Sequence, residues 1–218
     1  MNKIYFLKVN PHANKEILKC AINLLNLKEP KGQNSKAFAN FYSSCLARLV
    51  ALLFGAEFTS KKATQLKLSK TENGKPYFEN ASELKFNISH SKDMIAVAFS
   101  NNEIGIDIEK LRKCNTKIAN RYFAKAEIDY INCSVFNKNK RFFEIWTKKE
   151  AFLKKSGTGI TVPLNSFDVT SEEISKDIKT FIRKDFIVSV CSNATSLDIE
   201  ELSETEILQK LKTEALIN

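Results

Sequence analysis

The stretch that organises the chain is Asn73–Glu109, which reads NGKPYFENASELKFNISHSKDMIAVAFSNNEIGIDIE. A second segment, Phe142–Gly159, reads FFEIWTKKEAFLKKSGTG. Parts of the first segment alternate between apolar and polar residues, as strands with one buried face do. The second segment has apolar residues at helical spacing and contains no Pro or Gly before Gly157. We therefore predict strands from the first segment and a long helix from the second.

Two acidic residues end the first segment, in the hexapeptide IGIDIE. Because successive side chains of a strand point to opposite faces, Asp107 and Glu109 share a face, with Cα atoms about 6.6 Å apart. One hard cation can bridge carboxylates at that separation, and Mg²⁺ is usually held by one or two carboxylates with waters and substrate phosphates. A solvated edge of an amphipathic strand explains the same alternation, and carboxylates alone do not separate Mg²⁺ from Mn²⁺.

The predicted helix places Trp146, Glu150 and Lys154 at positions i, i+4 and i+8, and therefore on one stripe. An ordinary surface ion pair between Glu150 and Lys154 would have the same spacing. Before the acidic strand, Ser89 and His90 lie in the hexapeptide FNISHS, whose hydroxyls, imidazole and turn amides can donate hydrogen bonds to phosphate oxygens. The chain contains no G-x-S-x-G motif, so a nucleophilic serine is not expected.

Four motifs, in order and spacing, resemble the Sfp-type 4′-phosphopantetheinyl transferases. They are Gly74-Lys75-Pro76, Phe86–Ser91, Gly105–Glu109 and Trp146–Lys154. The similarity runs from about Tyr5 to the Ser189–Cys191 region. It implies an α+β fold with two similar halves that form a pseudo-dimer around an active cleft. The polar linker Asn101-Asn102-Glu103 suggests the boundary, which gives an N-terminal unit 1–102 and a C-terminal unit 103–218.

The resemblance also implies the chemistry. Coenzyme A would be the co-substrate, a serine of an acidic acyl or peptidyl carrier protein the acceptor, and adenosine 3′,5′-bisphosphate the product. Glu150 and Lys154 would be catalytic, and Asp107, Glu109 and Glu150 would hold Mg²⁺. The residues that would contact coenzyme A are Lys28, Lys31, Lys75, Pro76, Ser89, His90, Lys149 and Lys154. Candidates for further metal or carrier contacts are Glu127, Phe123 and Lys125–Ile131.

One position departs from the family pattern. Relatives carry an arginine early in the second predicted helix that touches the coenzyme A 3′-phosphate, and the matching position here is near Ala39. Lys36 is a weak substitute at that end of the helix. A catalytically inactive, coenzyme A-binding relative is therefore an alternative.

The composition of the chain limits the classes of partner and compartment that fit it. The chain has 218 residues, a net charge of +9 and a sequence pI near 9.2, which indicates an anionic partner. A basic nucleic-acid-binding protein is thus the other alternative, although we expect neither a nucleic-acid nor a membrane partner. Five cysteines without a C-x-x-C pair argue against zinc and favour reduced thiols in a cytoplasm. We see no apolar run approaching the length of a membrane span, and we expect a monomer.

Overall fold

The computed structural model describes residues 2–10, 14–29 and 36–217, apart from the side chains of Lys36 and Ile160. The first half contains β1 (Asn2–Lys8), α1 (Lys15–Leu24), α2 (Lys36–Gly55), β2 (Leu68–Lys70), β3 (Pro76–Phe78), β4 (Lys85–Ser91) and β5 (Met94–Ser100). The second half contains β6 (Gly105–Lys110), α3 (Thr116–Tyr122), α4 (Lys125–Asn132), α5 (Lys138–Ser156), α6 (Glu172–Ser175), β7 (Ile178–Arg183) and β8 (Phe186–Cys191). The chain ends with β9 (Asp198–Leu202) and α7 (Glu204–Thr213). The predicted α+β class is confirmed.

The two halves repeat one topology. The first sheet has the strand order β4-β5-β1-β9 and the second has β6-β8-β7, while β2 and β3 pair separately. Without β9, each sheet consists of one opening strand, followed along the chain by a long helix, and a later antiparallel hairpin whose second strand pairs with the opening strand. The long helices are α2 and α5. The halves therefore share strand order and helix placement, as the resemblance implied.

Alternation along the strands divides the interior into three apolar clusters. One cluster lies between the first sheet and the helices α1, α2 and α7. The second lies between the two sheets, where the even-numbered residues of β1, β5, β6 and β8 meet. The third lies between the second sheet and the helices α3, α4 and α5. The order of layers is helix, sheet, sheet, helix. Strand β4, at the edge of the first sheet, lies beside β6, at the edge of the second.

The end of the chain returns to the first half. Strand β9 pairs in parallel with β1, and Leu202, Ile207 and Leu211 are buried in the cluster of the first half. The last segment of the predicted unit 103–218 therefore packs with residues of the predicted unit 1–102. The physical reason is that β1 would otherwise present an unpaired edge, which β9 covers.

Helix α2 and the turn after it form the longest apolar stretch. Ala37–Phe58 is long and apolar enough to cross a membrane by length and composition, and 67% of its 18-residue apolar window is buried inside the fold. The sequence expectation that no run approaches that length is corrected by this helix. Its buried residues pack against β4 and β5, as those of a core helix do.

Candidate active site

The site begins where β4 meets the outer edge of β6. Strand β6 is an edge strand, and side chains rather than backbone carbonyls accept its outward N–H groups. Three hydrogen bonds join Ile106 N to Asn87 Oδ1 (2.9 Å), Ile108 N to Ser89 Oγ (3.4 Å) and Lys110 N to Ser91 Oγ (3.2 Å). These polar side chains occupy the face of β4 that continues the apolar inter-sheet face of β5. The two halves are thus joined by a polar seam along the edge of β6.

Asp107 lies in this seam and is 5% exposed. Its Oδ1 accepts hydrogen bonds from Ser89 Oγ (2.8 Å) and Lys154 Nζ (2.6 Å). Lys154 also donates to Ser89 Oγ (3.0 Å) and to the Ile106 carbonyl oxygen (3.2 Å). Asp107 Oδ2 is buried without any partner in the described structure. Burial raises the pKa of the Asp107 carboxyl, against the lowering effect of Lys154 and Ser89. One oxygen of this carboxylate therefore keeps its capacity to bind a ligand.

Gly105 allows α5 to reach the acidic strand. A Cβ atom at this position would lie 2.0 Å from the Ala151 carbonyl oxygen and 2.4 Å from the Lys155 backbone nitrogen. Any larger residue would therefore push α5 away from β6. The glycine brings Lys154 within hydrogen-bonding distance of Asp107, two residues further along the strand.

The other two predicted metal ligands differ in their surroundings. Glu109 Oε2 accepts hydrogen bonds from Ser91 Oγ (2.9 Å) and Arg112 (2.8 Å). Glu150 is half-buried, and its carboxylate makes neither a hydrogen bond nor an ion pair with any residue that the structure describes. Burial and then the charge of Asp107 raise the pKa of Glu150, whereas Lys154 lowers it. Glu150 is therefore an unpaired carboxylate beside a second carboxylate.

We tested whether these residues fit a divalent cation. In residues 2–10, 14–29 and 36–217, no group of three His, Cys, Asp or Glu side chains is arranged to hold a metal ion. However, Asp107 Oδ2 has no partner in the described structure, and the charge of Asp107 raises the pKa of Glu150. Mg²⁺ requires only one or two protein carboxylates when phosphates and waters complete its shell. Asp107 and Glu150 fit that requirement, with Glu109 adjacent on the strand.

His90 follows Ser89 on β4. Because side chains alternate along a strand, His90 shares the face of Ile88 and points away from the seam. The residue is exposed at the surface, yet desolvation and the charge of Lys154 lower the pKa of its imidazole. The imidazole is therefore neutral near pH 7 and can donate one hydrogen bond. The charges of Asp107 and Glu109 act on it in the opposite direction, which places His90 near the same carboxylates.

A cavity of about 260 Å³ lies between the halves. Its walls come from α2, the Lys70–Pro76 turn and β4 in the first half, and from α5 and the turn after it in the second. Gly157 ends α5 in the left-handed region with φ +70°, as the sequence predicted for this turn. The lining residues are Arg48, Lys70, Asn73, Gly74, Lys75, Pro76, Asn87, Ile88, Glu150, Leu153, Lys154, Gly157 and Gly159.

Lys75 and Pro76 both line this cavity, but Lys75 is already engaged. Its ammonium group pairs with Glu103 (2.6 Å) and donates to the Lys155 carbonyl oxygen (2.8 Å) at the end of α5. Asn73 donates to the Gly157 carbonyl oxygen (3.1 Å). The turn therefore holds the two halves together, and Lys75 reaches a ligand only by exchanging one of these partners.

Lys149 does not join the site, although the sequence analysis placed it with the phosphate ligands. It is 1% exposed and pairs with Glu127 (2.7 Å), and it donates to the carbonyl oxygens of Leu164 (2.6 Å) and Phe167 (2.7 Å). Glu127 is fully buried and also accepts the Ala124 and Val169 N–H groups. Both residues therefore hold the interior of the second half together. The physical reason is that Lys149 lies five residues before Lys154, on a different face of α5.

The remaining predicted positions that the structure describes do not line the cavity. Phe123 is 4% exposed within the cluster of the second half, so it is corrected from a surface docking residue to a core residue. Lys28 is exposed in the segment after α1, and Ala39 is exposed on α2. Lys31 lies outside the described residues, as does the side chain of Lys36.

Arg48 and Lys70 line the cavity, although neither was expected there from the sequence. Arg48 is the only charged residue between Ala37 and Ala56 in the sequence, and a single cation in such an apolar helix is a signal that could have identified it. Lys70 offers no comparable signal, because it is one of several lysines in a polar segment.

Fold and site define a two-half α+β protein whose cleft carries carboxylates and cations suited to a phosphorylated ligand. A model of the 4′-phosphopantetheinyl transferase superfamily matches residues 103–202, and a model of the 4′-phosphopantetheinyl transferase N-terminal region matches residues 11–102. The chain therefore belongs to the 4′-phosphopantetheinyl transferase superfamily, which confirms the resemblance.

Individual relatives agree with this assignment. The 4′-phosphopantetheinyl transferase gsp of Aneurinibacillus migulanus is 28% identical over 84% of both chains. The 4′-phosphopantetheinyl transferase ffp of Bacillus subtilis is 36% identical over 57% of this chain and 56% of its own length. The 4′-phosphopantetheinyl transferase Sfp of Bacillus subtilis strain 168 is 38% identical over 49% of this chain and 48% of its own. The alignments with ffp and Sfp thus span about half the length of those relatives.

Proposed function

We propose that the protein transfers the 4′-phosphopantetheine arm of coenzyme A to a serine hydroxyl of an apo acyl or peptidyl carrier protein. The observation that carries this proposal is the group Asp107, Lys154 and Glu150, of which Lys154 and Glu150 line the cavity between the halves. One oxygen of Asp107 and the whole carboxylate of Glu150 lack partners in the described structure, while Lys154 is fixed beside them. Such a group suits a ligand that brings phosphates and a cation together.

The transfer forms one bond and breaks another. The serine oxygen attacks the β-phosphorus of coenzyme A, and a new phosphorus–oxygen bond forms. The bond between the β-phosphorus and the oxygen bridging to the α-phosphorus breaks, and adenosine 3′,5′-bisphosphate leaves with that oxygen. Phosphoryl-type transfer of this kind depends on in-line positioning and on neutralisation of the oxygen charges.

Glu150 is the residue placed to accept the serine proton, directly or through a water molecule. A general base works best with a pKa close to the operating pH. Burial and Asp107 raise the pKa of Glu150 in that direction. Glu150 is also a candidate metal ligand, so its two proposed roles compete for the same oxygen atoms.

Lys154 and His90 would contact the pyrophosphate of coenzyme A. Lys154 supplies a fixed positive charge beside Asp107, and His90 supplies a neutral imidazole N–H. Ser89 would position Asp107 and Lys154, because its hydroxyl donates to Asp107 and accepts from Lys154 and the Ile108 N–H. Mg²⁺ held by Asp107 and Glu150, with Glu109 near them, would neutralise the pyrophosphate oxygens.

The charge of the whole protein fits both substrates of the proposed reaction. Coenzyme A carries several negative charges, and an acidic carrier protein would carry more. A net charge of +9 speeds encounter with both, and salt weakens that effect. We also propose a cytoplasmic monomer, since all five cysteines are free thiols and the halves form the cavity within one chain.

Intact-mass measurement of an apo carrier protein tests the proposal. The carrier is incubated with the protein, coenzyme A and Mg²⁺, and the expected result is a gain of one phosphopantetheine unit. Glu150→Gln should abolish the gain, whereas Glu144→Gln, the matched change on the same helix, should keep it. No gain on several carriers, with coenzyme A still bound, would instead indicate the inactive coenzyme A-binding relative.

A further inference from the structure

Arg48 is a cation that the fold places in the cavity without a counter-ion. It is half-buried on α2 and is the only charged residue between Ala37 and Ala56. Its side chain lines the cavity of about 260 Å³ between the halves. Within residues 2–10, 14–29 and 36–217, it makes neither an ion pair nor a hydrogen bond. Partial burial of a charge is unfavourable unless an opposite charge compensates it.

The other cations of the cavity show why an anion is the missing partner. Lys154 is paired with Asp107, and Lys75 is paired with Glu103. Lys70 lines the same wall as Arg48 and also lacks an ion pair in the described part of the chain. Glu150 is the single carboxylate among the lining residues. The cavity thus has an excess of positive charge, and two of its cations are uncommitted.

The position of these two cations separates them from the carboxylates. Arg48, Lys70 and Pro76 also line a neighbouring groove of about 560 Å³, which continues to Leu27 beside Lys28. Glu150 and Lys154 line the first cavity but not the groove. Arg48 and Lys70 therefore stand where the cavity opens into the groove, away from the proposed pyrophosphate site.

We propose that Arg48, assisted by Lys70, binds the 3′-phosphate of coenzyme A. This inference rests on the proposed function, in which Lys154 holds the pyrophosphate at the other end of the cavity. The 3′-phosphate is the remaining anionic group of the ligand, and a guanidinium group matches a phosphate through two parallel hydrogen bonds. Arg48 would thereby supply the charge that Ala39, exposed near the start of α2, does not provide.

The test compares two ligands that differ only in this phosphate. Equilibrium binding of coenzyme A and of 3′-dephospho-coenzyme A is measured for the wild type, Arg48→Met, Arg48→Lys and the control Arg121→Met. We expect Arg48→Met to weaken binding of coenzyme A by about 10- to 100-fold, as loss of a charged hydrogen-bonding partner does. Binding of 3′-dephospho-coenzyme A should stay unchanged, Arg48→Lys should be intermediate, and Arg121→Met should resemble the wild type.

Three results would overturn the inference. An equal loss for both ligands would show that Arg48 contacts another part of the molecule or supports the fold. No loss for either ligand would show that Arg48 does not bind it. A wild type that binds neither ligand would overturn the proposed function itself, which distinguishes the two failures. The melting temperature of Arg48→Met should be no lower than that of the wild type, because the side chain has no partner to lose in the described structure.

Discussion

Two lysines of helix α5 form ion pairs with carboxylates, and the pairs differ in how many of their hydrogen bonds are made. The pair of Lys149 is buried and the pair of Lys154 is partly buried. In the interior of the second half, Lys149 donates to Glu127 and two carbonyl oxygens, and Glu127 also accepts two backbone N–H groups. At the boundary between the halves, Lys154 is equally well bonded, but Asp107 leaves Oδ2 without a partner in the described structure. The complete pair has no capacity left for a ligand. The incomplete pair has that capacity, and the unpaired Glu150 lies beside it.

This difference distinguishes an ion pair that stabilises the fold from an ion pair that can bind a ligand, although both lysines lie on one helix. A buried pair whose hydrogen bonds are all made fixes the packing, and breaking it leaves an uncompensated charge. A buried carboxylate with a free oxygen is unfavourable in the empty protein and becomes favourable when a cation arrives. We therefore expect changes at Asp107 to affect the reaction, and changes at Lys149 to affect stability.

The largest expected effect is at the incomplete pair. Asp107→Ala removes the carboxylate that orients Lys154 and faces the proposed cation, so the transfer rate should fall by about 10³-fold or more. Steady-state transfer to an apo carrier measures this rate. Asp198→Ala, which removes an exposed carboxylate that pairs with Lys3, is the control and should change the rate less than about threefold. A comparable rate for both variants would contradict the distinction.

The complete pair should respond in the opposite way. Lys149→Met leaves Glu127 buried without its counter-ion, which should lower the free energy of unfolding by about 3–5 kcal/mol. Urea denaturation measures the loss, and the transfer rate per folded molecule should stay near the wild-type value. If stability were unchanged and coenzyme A binding were lost, Lys149 would return to the phosphate-binding group.

The smallest effect concerns the pH dependence of Glu150. Burial and Asp107 raise the pKa of Glu150, so the folded protein holds this proton more tightly than the unfolded chain. The protonated Glu150 carboxyl therefore stabilises the folded protein at low pH. This stabilisation is lost as the pH rises from the ordinary carboxyl pKa through the raised pKa. Glu150→Gln should therefore melt higher than the wild type at neutral pH, by roughly 2–4 °C if the effect is on the order of 1 kcal/mol.

Acid conditions provide the check on that sign. At about pH 4 or below, both the folded and unfolded wild type hold the proton, so the two melting temperatures should converge. Melting curves of both proteins from about pH 4 to pH 8 measure the trend. A variant that melts lower than the wild type at neutral pH would mean that the Glu150 carboxylate is compensated by a partner.

Much of the framework follows from local sequence patterns. Alternation predicts β4 and β6, the charged turn at Lys184-Asp185 joins β7 to β8, and Gly157 ends α5 in the left-handed region as expected. The shared face of Asp107 and Glu109 also follows from strand geometry. These features depend on residues close in sequence, which is why periodicity and turn chemistry were sufficient.

The features that escaped prediction depend on contacts between distant segments. Apolar residues surround much of α5, since β6 packs on one side and α4 on another, so spacing alone did not assign Lys149 to the interior. Strand β9 is mostly exposed and acidic, and only its pairing with β1 makes it a strand. Lys75 looked like a phosphate ligand, but Glu103 and the end of α5 engage it in the folded chain.

Binding of Mn²⁺ in the presence of coenzyme A tests the central claim most directly. Mn²⁺ substitutes for Mg²⁺ because both prefer oxygen ligands, and its electron paramagnetic resonance signal separates free from bound ion. The account predicts tight binding to the wild type and to Lys149→Met, and loss of binding in Asp107→Asn. Equal binding by all three proteins would contradict the claim that the incomplete pair on α5 is the functional one.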